Sequence, residues 1–281
     1  LAEALIYSAC RTAVGRVGGA LAAVRPDDLA ALTVKEAVSR AGVDAASLDD
    51  VILGCANGAG EDNRNVARMA ALLAGFPVEV PGQTVNRLCG SGLQAVVSAA
   101  HAIKAGEGAC FVAGGVESMT RSPYVMLKSG TPFARVPPPI ADTTVGWRFV
   151  NRKMQDAWTV SLGMTAENVA ERYGITREEQ EIFAVESQRR ALHAIETGAF
   201  RDEIVPVEVP KKRGASETFA VDEHPRPDVE LASLGRLKPA FKQDGTVTAA
   251  TSSGINDGAA ALVVGAGALA GAREPMARVV A

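Results

Sequence analysis

The sequence predicts a layered α/β fold, on three observations. Short apolar, β-branched runs alternate with stretches of helical periodicity through the first 113 residues, and the pattern returns after residue 246. Gly42, Gly75 and Gly106 stand just past the helical stretches, where a chain leaving a helix favours glycine. The 281 residues include 28 glycines and 47% apolar but only 5% aromatic residues, which suits closely packed layers and a large core, with length enough for two domains.

In chain order, Ala4 to Ala9 reads as a buried strand and Arg11 to Val24 as a glycine-containing loop. Pro26 fits a first helical position, Asp27 and Asp28 complement the dipole behind it, and Leu29, Thr33, Ala37 and Ala41 mark one face. Val51 to Cys55 is a second strand and Asn63 to Ala74 a second helix. Gln83 to Asn86 is a short strand, a helix runs from Ser91 to Gly106, and Ala109 to Ala113 is a strand. From Arg121 to Asn151 there are prolines, Trp147 and no sustained period, so this stretch is either an interaction arm or an irregular surface loop. A helix follows at Thr165 to Tyr173, and Thr176 with Glu179 forms a capping box for the helix Arg177 to Glu196. Glu203 to Val209 and Glu217 to Val221 read as strands around a solvated Lys211-Lys212-Arg213 turn. Thr246 to Ala250 reads as a strand, residues 251–258 as a polar glycine loop, and Ala259 to Val264 as a strongly apolar strand. The last residues, from Ala277, read as a strand just beginning, and the absence of an initiator Met suggests a chain trimmed at its front.

Composition excludes several classes. A net charge of −3 gives no argument for nucleic acid. No apolar run approaches the roughly 18 residues of a membrane span, and the first residues carry no basic region of a signal peptide. Cys10, Cys55, Cys89 and Cys110 have no CxxC spacing, so neither a metal site nor a disulfide framework is expected, and a reducing cytoplasm is the default location.

The chemistry centres on Cys89, at the junction of the strand ending near Asn86 and the helix starting near Ser91. A thiol there faces the unpaired N–H groups and the positive end of the helix, which favours the nucleophilic thiolate. Gly90 and Gly92 leave room for backbone or ligand beside the sulfur. The competing reading is a small apolar residue packed under a helix. A cysteine nucleophile usually has a base within hydrogen-bond reach. His101 lies twelve positions along the same helix, about 18 Å away. His193 sits near the end of another helix, and His224 lies in a His-Pro-Arg-Pro loop. The proton partner is therefore either His224 or outside this chain.

With these residues in view, Asn86 to Ala95 (Asn-Arg-Leu-Cys-Gly-Ser-Gly-Leu-Gln-Ala) resembles the nucleophile motif of the thiolases. Gly114 to Pro123, Gly163 to Ala170, Gly245 to Ala249 and Ser253 to Ala259 resemble further family signatures in family order. Residues 142–150 and 222–227 are most similar to the β-ketoadipyl-CoA thiolase subgroup. The resemblance covers essentially the whole chain. It implies an αβα amino-terminal domain with a mixed five-stranded sheet over residues 1–120 and 246–275. It also implies an inserted loop domain over 121–245 for oligomerisation and CoA binding, and the start of a further domain at 276–281.

The implied activity is acyl transfer: Cys89 attacks the keto carbon of a 3-oxoacyl-CoA, such as 3-oxoadipyl-CoA, and the resulting acyl-enzyme is resolved by CoA. The implied CoA contacts are Arg226 and Ser233 at the adenine and phosphate end, with Phe241, Ala249 and Ser253 along the pantetheine arm. Coenzyme A enters as a substrate, with no tightly bound cofactor and no metal, and a homodimer or homotetramer is implied. Three departures stand out. Ala250 replaces a usual glycine. Ser161 stands where many biosynthetic members have histidine, which favours a different acyl group. The family's catalytic histidine and second cysteine do not occur in this sequence, so the chain by itself is expected to turn over weakly or not at all. The rival readings are a non-catalytic CoA-binding or assembly module, a biosynthetic acetoacetyl-CoA thiolase and, least compatible with the Leu88-Cys89-Gly90-Ser91 context, a decarboxylating condensing enzyme.

Overall fold

The computed structural model describes residues 2–267, 269 and 271–280. In chain order its strands and α-helices are β1 (Ala4–Thr12), β2 (Gly15–Arg16), α1 (Pro26–Ala41), β3 (Asp50–Gly54), α2 (Val66–Leu73), β4 (Gly82–Val85), α3 (Ser91–Ala105) and β5 (Cys110–Ser118). Then come β6 (Tyr124–Met126), β7 (Ile140–Asp142), α4 (Leu162–Tyr173), α5 (Arg177–Glu196), β8 (Ile204–Val205), β9 (Val207–Pro210) and β10 (Ser216–Phe219). The series closes with α6 (Leu231–Leu234), β11 (Asn256–Ala266) and β12 (Ala277–Arg278).

The chain divides into two compact units. The first comprises Leu1–Ser122, Phe200–Glu223 and Asn256–Ala281; the second comprises Pro123–Ala199 and His224–Ile255.

The first unit is built on a mixed sheet whose main strands run in the order β1-β11-β5-β3-β4. β3 pairs parallel with both β4 and β5, while β11 is antiparallel to β5 and to β1. The expected five strands are thus present, and three two-residue strands, β2, β8 and β12, extend them to eight. Strand periodicity sorts the apolar side chains to two faces. Val51, Leu53, Val112, Ala261 and Val263 meet Leu29, Val34, Ala37 and Val66 of α1 and α2. Ile52, Phe111, Ala113 and Val264 meet Ala95, Ala99, Ala100 and Ile103 of α3. The alanines let α3 lie close to the sheet, and that closeness positions its first turn.

Gly54 makes the approach possible, and Gly114 leaves room between neighbouring strands. A Cβ on Gly54 would lie 2.2 Å from the Ser91 carbonyl carbon and 2.4 Å from the Gly92 nitrogen. A Cβ on Gly114 would lie 2.1 Å from the Ala260 carbonyl oxygen in the neighbouring strand.

The second unit carries the β6–β7 pair and the three helices α4, α5 and α6. The Thr176 and Glu179 capping box of α5 is formed as expected. Arg177 pairs with Glu181 at 2.7 Å and donates to the carbonyls of Leu234 and Leu237, tying α5 to the turn after α6.

Several expectations are corrected. The second helix starts at Val66, not Asn63, because Asn63 and Arg64 take left-handed φ values of 52° and 67° and the Asn65 side chain caps the Arg68 N–H. The 246–250 segment is a turn rather than a strand, since the N–H groups of Thr246 and Val247 are both taken by the Glu167 carboxylate. Residues 200–223 lie in the first unit, where β8 pairs parallel with β1, and residues 246–255 lie in the second. The Lys211-Lys212-Arg213 turn is exposed, with Lys211 paired to Glu217.

Among the described residues no helix is long and apolar enough to cross a membrane, and no cluster of His, Cys, Asp and Glu is arranged to hold a metal ion.

Candidate active site

Cys89 is exposed, whereas Cys10, Cys55 and Cys110 are buried; none of the four is in a disulfide. The sulfur stands at the start of α3, on a turn held by its own neighbours. The N–H groups of Gly90 and Ser91 donate to the carbonyls of Arg87 and Leu88. The buried Ser91 hydroxyl accepts from the Arg87 N–H at 2.8 Å and donates to the Leu88 carbonyl at 2.6 Å. The Asn86 side-chain oxygen accepts from the Leu88 N–H at 2.9 Å. These bonds hold Leu88 at a φ of 50°, a left-handed conformation that costs a non-glycine residue about 1–3 kcal/mol and persists only where its surroundings over-determine it. The strain falls on the residue immediately before the thiol.

The other thiols are held protonated. Burial pushes Cys10 up to about 11 and Cys110 up to about 11. Burial, reinforced by the Glu117 carboxylate, pushes Cys55 up to about 12. Because the thiolate is the reactive form, iodoacetamide near pH 8 is expected to label Cys89 faster than the other three by about two orders of magnitude or more. Peptide mapping of a time course checks this, and equal labelling of all four would remove the case for a poised nucleophile.

Two residues of the first unit that sequence reading did not single out, Glu117 and Arg121, bond to the 55–61 loop. Glu117, in the Gly114 to Pro123 stretch, accepts from the Ala56 N–H at 2.7 Å. Burial raises its carboxyl above the usual range, against the pull of the Ala56 and Asn57 N–H groups. Farther along, Arg121 makes a two-pronged pair with Glu61, which Arg25 also contacts at 3.1 Å. Their place in a signature stretch was the available signal for Glu117 and Arg121; nothing local in the sequence pairs them with the 55–61 loop.

The five expected CoA contacts, Arg226, Ser233, Phe241, Ala249 and Ser253, all lie in the second unit and are all exposed. Phe241 packs on Gly163, where a Cβ would come within 2.1 Å of the ring. The Arg226 N–H donates to Gln188, and the Ser233 hydroxyl donates to the Glu230 carbonyl. Ala249 and Ser253 sit on the 245–255 turn, with the His224 ring packed against Gly254. Ala250 is not among the residues with positive φ, so its methyl carries no backbone strain.

That turn is anchored by Glu167, buried at 4% exposure, which accepts from the N–H groups of Thr246 and Val247 and from the Thr246 hydroxyl. Burial by itself would raise this carboxyl, but the backbone donors outweigh it and hold it below its ordinary range. A lowered carboxyl stabilises the folded state above its unfolded pKa, and this contribution is lost as pH falls through the folded value. Glu167→Ala is therefore expected to cost about 2–3 kcal/mol at neutral pH and less in acid, measured by denaturant unfolding at both.

The family model described as "Thiolase, N-terminal domain" matches residues 4–267. The chain belongs to the thiolase family. Among curated thiolases, the β-ketoadipyl-CoA thiolase of Acinetobacter baylyi is 54% identical over 264 residues, covering 93% of this chain and 66% of that protein. The 3-oxoadipyl-CoA/3-oxo-5,6-dehydrosuberyl-CoA thiolase of Escherichia coli is 53% identical over 283 residues, covering 99% and 70%. The crystal structure of the Bacillus anthracis acetyl-CoA acetyltransferase superposes with a TM-score of 0.86 at 43% identity, covering 95% of this chain and 66% of that one. The chain thus spans about two thirds of the length of these thiolase relatives.

Proposed function

We propose that Cys89 is the acyl-carrying nucleophile of a thiolase acting on a 3-oxoacyl-CoA, with 3-oxoadipyl-CoA the preferred substrate. The observation that carries the reading is one exposed thiol, at a helix start, on a turn strained at the preceding residue, beside three buried and protonated ones.

In the thiolytic direction the Cys89 thiolate attacks the C3 carbonyl carbon, and the C3 oxygen becomes an oxyanion. Collapse of that intermediate re-forms the carbonyl and breaks the C2–C3 bond. The leaving carbon departs as the acetyl-CoA enolate and takes one proton to give acetyl-CoA. The thiolate of a second CoA, whose proton balances that uptake, then displaces Cys89 from the thioester and releases the shortened acyl-CoA. The Cys89 backbone N–H, at the start of α3, is suited to donate to the oxyanion. We assign the proton transfer to neither His101, twelve residues beyond Cys89 on α3, nor His193, near the end of α5.

The second unit takes the CoA-binding role in this reading. Arg226 and Ser233 meet the adenine and phosphate end, and Phe241, Ala249 and Ser253 line the pantetheine arm; all five are exposed and able to meet a ligand. CoA is a substrate here, with no tightly bound cofactor. The 121–151 stretch serves as an oligomerisation arm in a homodimer or homotetramer, supported by the exposure of Tyr124, Phe133, Val136 and Ile140. Four free cysteines fit a reducing cytoplasm.

The test is to incubate the protein with 3-oxoadipyl-CoA and with acetoacetyl-CoA and to map acylated peptides by mass. The expected result is an acyl group on Cys89, formed faster from 3-oxoadipyl-CoA. A preference for acetoacetyl-CoA would assign the biosynthetic-type substrate, and CoA binding without any acylation of Cys89 would leave a binding module.

A further inference from the structure

We propose that Glu117 is a positioning residue for Cys89, acting through the Ala56 peptide and Asn86. The inference rests on the reading of Cys89 as nucleophile and adds the group that sets its turn. Every link lies in the first unit. Glu117, near the end of β5, accepts from the Ala56 N–H at 2.7 Å. On the other side of the same residue, the Ala56 carbonyl accepts from the Asn86 side-chain NH2 at 2.9 Å. The oxygen of that amide accepts from the Leu88 N–H, at the strained position before Cys89. The Asn86 amide is thereby fixed in orientation: its nitrogen must face Ala56 and its oxygen must face Leu88.

Without the Ala56 anchor, Asn86 is an exposed side chain free to rotate, and an exposed amide is a poor support for a left-handed leucine. Glu117 supplies that anchor from the interior. The Cys55 thiol, 3.8 Å from one Glu117 oxygen, and Asp62 are the other titratable groups in the cluster. Ser91 grips the turn independently, through Arg87 and Leu88, so removing Glu117 loosens the turn without erasing it.

The readout is the native-state rate at which iodoacetamide alkylates Cys89, which does not depend on CoA or turnover. Failure of this inference is therefore distinct from failure of the acyl-transfer reading. Glu117→Ala is expected to slow alkylation about fivefold, the worth of one net hydrogen bond. Glu117→Gln keeps an acceptor for the Ala56 N–H and is expected to recover most of the rate. Asn86→Ala is expected to slow the reaction at least as much. In the double variant, Glu117→Ala is expected to add nothing, because its effect travels through Asn86.

A wild-type rate in Glu117→Ala with the fold intact by circular dichroism would overturn the proposal. So would a Glu117→Ala effect of equal size in the Asn86→Ala background. If Glu117→Ala does not fold, Glu117→Met fills the same volume without an acceptor and carries the same expectations.

Discussion

On the proposed acyl-transfer reading, Cys89→Ser is expected to abolish single-event acylation of this chain by a 3-oxoacyl-CoA, a step that needs no full turnover, by a factor of at least about 10³. It should leave stability within about 0.5 kcal/mol, because the side chain is exposed and contributes no core volume. A serine hydroxyl at the same place is scarcely ionised at neutral pH, whereas a thiol needs only a modest field to become a nucleophile. The acylated 281-residue chain, digested and weighed, gives the first half of the result, and a thermal melt gives the second. Should the serine variant still acquire an acyl group, on any residue, at near the original rate, the nucleophile lies elsewhere.

The second large effect is expected at a residue that carries no chemistry. Gly54→Ala places a methyl carbon 2.2–2.5 Å from the Ser91 and Gly92 backbone. Neither side can yield cheaply, since β3 is a central strand and the obstructing atoms are main chain rather than the tip of a flexible side chain. The first turn of α3 must move, at a cost of about 3 kcal/mol or more. Because Cys89 precedes that turn directly, its alkylation rate should fall together with the melting temperature. Gly130→Ala is the control: nothing lies within 4 Å of its added carbon, and an effect within about 0.5 kcal/mol is expected. Equal melting temperatures for the two variants would mean that α3 is not seated on β3 as described.

Local chemistry made much of this fold legible. Pro26 with Asp27 and Asp28 marked the start of α1, the Thr176–Glu179 box marked α5, and Gly42 and Gly106 ended their helices in the left-handed conformation. The strand-to-helix junction at Cys89 was legible for the same reason: both flanking elements carry their own period. Features set by distant partners were not. The threonine-rich 246–250 segment has the composition of a strand, but a buried carboxylate about eighty residues earlier takes its N–H groups and turns it. Residues 63–65 run directly into the apolar helical period of α2, yet two consecutive left-handed residues and the Asn65 cap delay α2 by three positions. The site divided in the same way. Cys89 announced itself through its neighbours, while Glu117 and Glu167 matter through hydrogen bonds that close only in the folded chain.

The position of β11 has a consequence for how the protein is made. It lies between β1 and β5, yet it is translated roughly 150 residues after β5 is complete. At about 5–20 residues per second, a nascent chain therefore waits some 7–30 seconds on the ribosome with two apolar strand edges unpaired. Pairings this remote in sequence also slow the final closure. Recombinant production at low temperature, or with extra holding chaperone, should accordingly raise the soluble yield without altering the melting temperature of the protein recovered.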